Sequence, residues 1–293
     1  MTSRRWVFKL GAMLAFAGIA LSARSESQGQ RLPSEPFRQF GQSITGAFEG
    51  WYDNPDGSHT FLVGYLNRNY QQAVDVPIGP NNRIEPGGPD MGQPTHFLPD
   101  RQYGMFTITV PKEFGAQQKL TWTLTVNGET TSIPLRLNSD YVVNPFSDVA
   151  VGNKPPLLRF DPKEPAVQGP IATVATARSL SAKVGTPLTI NVWAEDDAKY
   201  SSGSNAPQRN PPPPVILLWS KYRGPGDVKF DSVNPKFEKV DGSAAFSGKA
   251  PVSATFSAAG DYMLHVTAND YSGEGGGGEV CCWTTAIVKI NVQ

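Results

Sequence analysis

Cys281 and Cys282 are the only cysteines in the chain, so a disulfide within one molecule must join neighbours. Neighbouring strand residues point to opposite faces, and Cα atoms across a trans peptide lie about 3.8 Å apart, below the usual disulfide span of about 4.4–6.8 Å. Three states are open to the pair: a vicinal disulfide, two reduced buried thiols, or a redox or metal site. The Gly275 to Gly278 run upstream supplies the backbone freedom that a ring requires. A second set is acidic. Glu195, Asp196 and Asp197 end one strand pattern and Asp270 ends another, and carboxylate oxygens at a strand pole suit Ca²⁺. Asp and Asn also simply stop strands. Calcium is the one cofactor these residues suggest; the alternative is none. A third set is aromatic: Trp51, Tyr52, Tyr65 and Tyr70 gather near one hairpin, and Trp283 follows the cysteines. Such rings either stack on a sugar or protein partner or complete a core.

Catalytic motifs are missing. The chain has no G-x-S-x-G, H-E-x-x-H, P-loop or strand-following G-x-G-x-x-G. His59, His96 and His265 are far apart in sequence, and His265 alternates within a strand as a packing residue would. No catalytic residue is assigned.

The elements that must position these side chains have period two, and no 3.6-period run of helical length follows the N-terminal segment, so an all-β fold is expected. The clearest unit is Leu120 to Val126, then Asn127-Gly128, then Glu129 to Leu137. Asn-Gly favours a type I′ turn, whose two central residues both need φ > 0. That turn sets Val126 opposite Glu129, Leu124 opposite Thr131, Trp122 opposite Ile133 and Leu120 opposite Leu135, which puts the apolar residues on one face. Ile44 to Tyr52 turns through Asn54-Pro55-Asp56-Gly57 into Thr60 to Asn67, and Phe106 to Val110 adds a strand. The tract from Pro77 to Pro99, rich in Pro and Gly, reads as a long surface loop. These segments make a first β-sandwich over 43–138. Residues 139–179 have the Pro-rich composition of a linker with at most one edge strand near Leu157 to Phe160.

The second sandwich, 180–293, opens with Leu180 to Pro187 and the strand Leu188 to Ala194. Ile216-Leu217-Leu218-Trp219 then leads to Gly224-Pro225-Gly226. Ala254-Thr255-Phe256-Ser257 to Asp270 forms a hairpin pattern, and Thr285 to Val292 closes the unit. This order resembles the PKD-like (polycystic kidney disease) Ig-like domains, although the Asp-Phe-Gly-Asp-Gly turn of their best-known repeats is missing. Insertions also interrupt it at Asp196 to Pro214 and Ser272 to Glu279. The resemblance implies an extracellular Ig-like sandwich that mediates contacts. The first sandwich resembles no named family.

Arg4, Arg5 and Lys9 precede an apolar run from Leu10 to Leu21, as in a cleaved signal peptide over 1–23, with a flexible leader over 24–42. Ser3-Arg4-Arg5-Trp6-Val7-Phe8-Lys9 is similar to a twin-arginine export motif, which would make the protein bacterial. No later stretch nears the roughly 20 apolar residues of a spanning helix. Lys plus Arg and Asp plus Glu each number 26, so no basic excess favours nucleic acid. With 39% hydrophobic and 18% charged residues, the chain is also neither a coiled coil nor a disordered polyelectrolyte. The expectation is an exported, periplasmic or extracellular, non-catalytic binding, adhesion or scaffold protein with a protein or polysaccharide partner. The alternative is an exported enzyme or redox protein that uses the cysteine pair.

Overall fold

Strands form where apolar and polar residues alternate, and the longest helix among the described residues is a single 3-10 turn, Ser139–Tyr141. The computed structural model describes residues 38–148, 152–174, 177–199, 213–270 and 281–293. The signal sequence, most of the leader, the Gly275 to Gly278 run and the greater part of the insertion after Asp196 lie outside them. No helix is long and apolar enough to cross a membrane among the described residues.

The first half contributes β1 (Ile44–Asp53), β2 (His59–Asn67), β3 (Val74–Asp75), β4 (Asn82–Glu85), β5 (His96–Phe97), β6 (Asp100–Val110), β7 (Leu120–Val126) and β8 (Glu129–Leu135). They form the sheets β1-β2-β6 and β4-β7-β8, with β3 and β5 paired separately. Phe61, Val63, Phe106, Trp122, Leu124 and Leu135 fill the space between the two main sheets, and each fully buried Val, Leu or Phe contributes about 1.5–3 kcal/mol. The sheets approach so closely that a Cβ on Gly46 would stand 2.6 Å from the Trp122 ring. The Asn127-Gly128 turn has φ of 52° and 84°, and β7 pairs with β8 in the register that the turn requires, from Val126 opposite Glu129 to Leu120 opposite Leu135.

The second half contributes β9 (Leu157–Arg159), β10 (Val167–Gln168), β11 (Arg178–Ala182), β12 (Leu188–Asp196), β13 (Val215–Arg223), β14 (Val228–Phe230), β15 (Glu238–Lys239), β16 (Phe246–Phe256), β17 (Gly260–Asp270) and β18 (Trp283–Val292). One sheet runs β10-β9-β12-β16-β14, with β15 also on β16; the other runs β11-β18-β17-β13. β11 lies parallel to β18 while the remaining pairs are antiparallel, an Ig-like sandwich arrangement.

Two expectations are corrected. The tract from Pro77 to Pro99 is more than a surface loop: β4 pairs with β7, and Asn82, Ile84, Gln93 and Phe97 are buried. Its prolines fall outside β4 and β5, so they remove no ladder donor. Similarly, β9 is an interior strand, paired with both β10 and β12. Pro155, Pro156, Pro162 and Pro165 flank these strands and interrupt neither.

The same Pro-rich tract clamps the two sandwiches together. Arg223 of β13 donates to both Asp90 carboxylate oxygens at 2.8 and 2.9 Å, the bidentate geometry that makes such pairs strong. Tyr222 donates its hydroxyl to the Gly92 carbonyl at 2.5 Å, and the Thr95 N–H donates to the Tyr222 carbonyl. The first core also takes in Tyr222 and Ile287 from the second half. Phe37–Gln293 thereby packs as one compact unit.

Candidate functional site

The seam is shaped by a charged residue that breaks the β1 pattern. The pairing of β1 with β2 shifts between Phe48 and Gly50, which leaves Glu49 in a bulge. Its carboxylate accepts from Arg101 at 2.7 Å and from the Gly104 N–H at 2.7 Å. Burial pushes the Glu49 carboxyl up to about 7, against the pull of Arg101 and of the Gly104 bond. Gly64 leaves room for this carboxylate, since a Cβ there would meet Glu49 Oε1 at 2.2 Å. Gly104 has φ of 51° and lies under the Trp283 indole, where a Cβ would approach to 2.6 Å. Glu49, Arg101, Gly104 and Trp283 thus form one continuous joint from β1 through β6 to β18.

Beside this joint is a cleft of about 530 Å³. Clefts of about 300–1,000 Å³, often at domain interfaces, are the usual sites for small ligands. The first half contributes His96, Leu98, Arg101, Gln102, Tyr103 and Met105. Opposite them, Leu218 and Ser220 of β13 alternate onto one face with His265, Thr267 and Asn269 of β17. Trp219 enters from the other face of β13, an edge strand, together with Phe230 and Val233.

Charge on these walls is internally balanced. Arg101 pairs with Glu49 and stacks on Tyr103, with its guanidinium 4.2 Å from the ring centre. Asp75 accepts from His96 Nδ1 at 2.8 Å and stands 3.3 Å from Lys221 Nζ. Burial lowers the His96 imidazole below its ordinary value, against the opposing effect of Asp75. Burial also pushes His265 down to about 4, although a hydrogen bond with the Met105 backbone acts the other way, so this ring is neutral at pH 7. Five buried side-chain polar atoms lack a hydrogen-bond partner among the described residues, and three of them, Trp219 Nε1, His265 Nε2 and Trp283 Nε1, belong to rings that wall this cleft.

The aromatic residues singled out in the sequence do not make one surface. Tyr65 is fully buried, 4.9 Å from Phe97 between ring centres, and its hydroxyl accepts the Leu98 N–H. Tyr52 is buried against Phe146. Trp51 is half-buried and donates to the Asn138 carbonyl at 2.8 Å, and Tyr70 is 43% exposed. Trp283 is buried, but it reaches the cleft wall. Alternation alone does not distinguish a core face from a binding face, which is why these four looked alike.

Glu195 is engaged by Arg159 at 2.9 Å and Asp197 by Lys199 at 3.2 Å. Asp196 and Asp270 are buried; Asp270 accepts from Asn153 at 2.6 Å, and Asp196 Oδ2 accepts from the Ala198 N–H at 2.7 Å. Burial first, then the charges of Asp270 and Asp197, push Asp196 up to about 7, against the bond from Ala198. No group of three or more His, Cys, Asp or Glu side chains is arranged to hold a metal among the described residues. Cys281 and Cys282 are buried and joined in a vicinal disulfide across a cis peptide, with Cα atoms 3.1 Å apart. The Cys282 carbonyl accepts the Asp270 N–H. The sulfurs therefore offer no contact surface of their own; the residue that carries this position to the cleft is Trp283.

Glu49, Arg101, Tyr103, Trp219 and Thr267 are not among the site residues expected from sequence. Only Glu49-Gly50 carried a local signal, a charge and a glycine inside an apolar strand, which is a mark of a bulge.

No protein-family profile matches the chain, and no curated protein sequence does. Among solved structures, domains 4 and 5 of the S-layer protein SbsC align at 13% identity over 86% of this chain and 98% of theirs, with a TM-score of 0.22. The adhesin InvE of Yersinia pseudotuberculosis aligns at 14% identity over 86% of this chain and 59% of its own, with a TM-score of 0.23. An endo-fucoidan hydrolase of glycoside hydrolase family 107 aligns at 14% identity over 86% of this chain and 26% of its own, with a TM-score of 0.22.

Proposed function

We propose that the protein is an exported, non-catalytic binding module of the adhesion or scaffold kind, and that recognition takes place in the cleft at the seam of its two sandwiches. The observation that carries this reading is the cleft itself, walled from both halves and lined by aromatic and apolar side chains. Its titratable groups support binding over chemistry. Arg101 is committed to Glu49, Lys221 and His96 share Asp75, and burial keeps His265 neutral. Export rests on the N-terminal sequence, and the assignment of 180–293 to the PKD-like Ig domains rests on the order of its segments. Both are parts of the proposal.

A thermal-shift screen of the processed protein against small-molecule, oligosaccharide and peptide libraries tests it. Ligands should raise the melting temperature of the native chain, and Leu218→Trp, which adds bulk at a position 40% exposed on the cleft rim, should abolish the shift. Hits that survive this substitution unchanged would move recognition elsewhere.

A further inference from the structure

We infer that the cleft takes a neutral saccharide, held by contact of its pyranose faces with Tyr103, Leu218 and Val233 and by hydrogen bonds to its uncharged polar row. This inference rests on the proposed binding function and names the ligand class of the same site.

The choice follows from what the walls offer together. Ser220, Thr267, Asn269 and Gln102 provide hydroxyl and amide groups, each both donor and acceptor. Tyr103 provides a ring, one face of which carries the Arg101 guanidinium, and Leu218 and Val233 provide exposed apolar surface. A pyranoside has the matching pair of properties, apolar C–H faces and a rim of hydroxyls that donate and accept. A purely apolar ligand would leave the polar row desolvated and unpaired, at a cost of about 1–3 kcal/mol per group. An anionic ligand would need an uncommitted cation, but Arg101 already bonds Glu49 and the Tyr65 carbonyl, and Lys221 bonds the Gly226 carbonyl and faces Asp75. An uncharged ligand makes no demand on these pairs.

The test is calorimetric titration of the processed protein with cellotetraose, maltotetraose, mannotetraose and chitotetraose, alongside tetragalacturonate, an apolar naphthalene dye and an extended-peptide library. At least one neutral tetrasaccharide should bind, and Thr267→Val, which removes a hydroxyl while keeping the side-chain shape, should weaken it about tenfold. Thr189→Val, on β12 and outside the cleft, should leave affinity unchanged and controls for general effects on the fold. Binding of tetragalacturonate, dye or peptides that is sensitive to Leu218→Trp, with no neutral saccharide bound, would overturn the saccharide and leave the cleft as a binding site. If no probe of any class binds in a manner sensitive to Leu218→Trp, the proposed function fails as well.

Discussion

Asp196 is where burial and charge conflict most openly. Its ordinary carboxyl value of 3.8 rises to about 7 because the group is buried and faces Asp270 and Asp197. The folded chain therefore holds a proton there that the unfolded chain releases, and its contribution to stability is present below 3.8 and lost as pH rises through about 7. Glu49 acts with the same sign over a similar window, and His265, pushed down to about 4, acts with the opposite sign. Asp196→Asn isolates one of them. It keeps an oxygen for the Ala198 N–H and removes the charge beside Asp270, so its stability relative to the native chain should increase from about pH 4 and level off above about pH 7 in urea titrations. A difference independent of pH would mean that Asp196 is ionised throughout. At this scale the sequence was partly legible: acidic residues at two strand ends were visible, but which were already engaged by Arg159 and Lys199 depends on partners that no local pattern reveals.

The β7–β8 hairpin is local in sequence, and turn chemistry and apolar alternation specify the same register there, so it could be read in full. The composition of the Pro-rich tract hides its strands, because its prolines sit between short pairing segments. The Glu49 bulge depends on β2 and β6 supplying Gly64 and Gly104 at matching heights, a requirement spread over three strands. Gly104→Ala tests the joint directly. The new methyl would need φ near 51° and a 2.6 Å approach to the Trp283 ring, so β18 or β6 must shift. We expect a loss of about 1–3 kcal/mol in chemical denaturation together with a red-shifted tryptophan emission. Unchanged stability and emission would mean that the indole does not rest on Gly104.

The whole molecule is organised by its seam. An all-β chain with a first and a second sandwich was legible from period two, and the clamp that unites them was not. Arg223 and Asp90, Tyr222 and Gly92, and Lys221 and Asp75 each bring together residues from different halves, and neither partner is unusual in its own segment. The cleft arises from this union and so had no signature in either half. Of the aromatic candidates, Trp283 reaches the cleft wall, while Trp51, Tyr52, Tyr65 and Tyr70 lie outside the lining, so the two locations can be told apart. Carbene footprinting of the processed protein, with and without the tightest-binding neutral tetrasaccharide, decides between them. Recognition in the cleft predicts protection on residues 96–105, 218–233 and 265–269, with the faces around Trp51 and Tyr70 labelled equally in both states. Protection confined to Trp51, Tyr70 and the exposed Tyr141 and Phe146, with the cleft labelled as before, would contradict it.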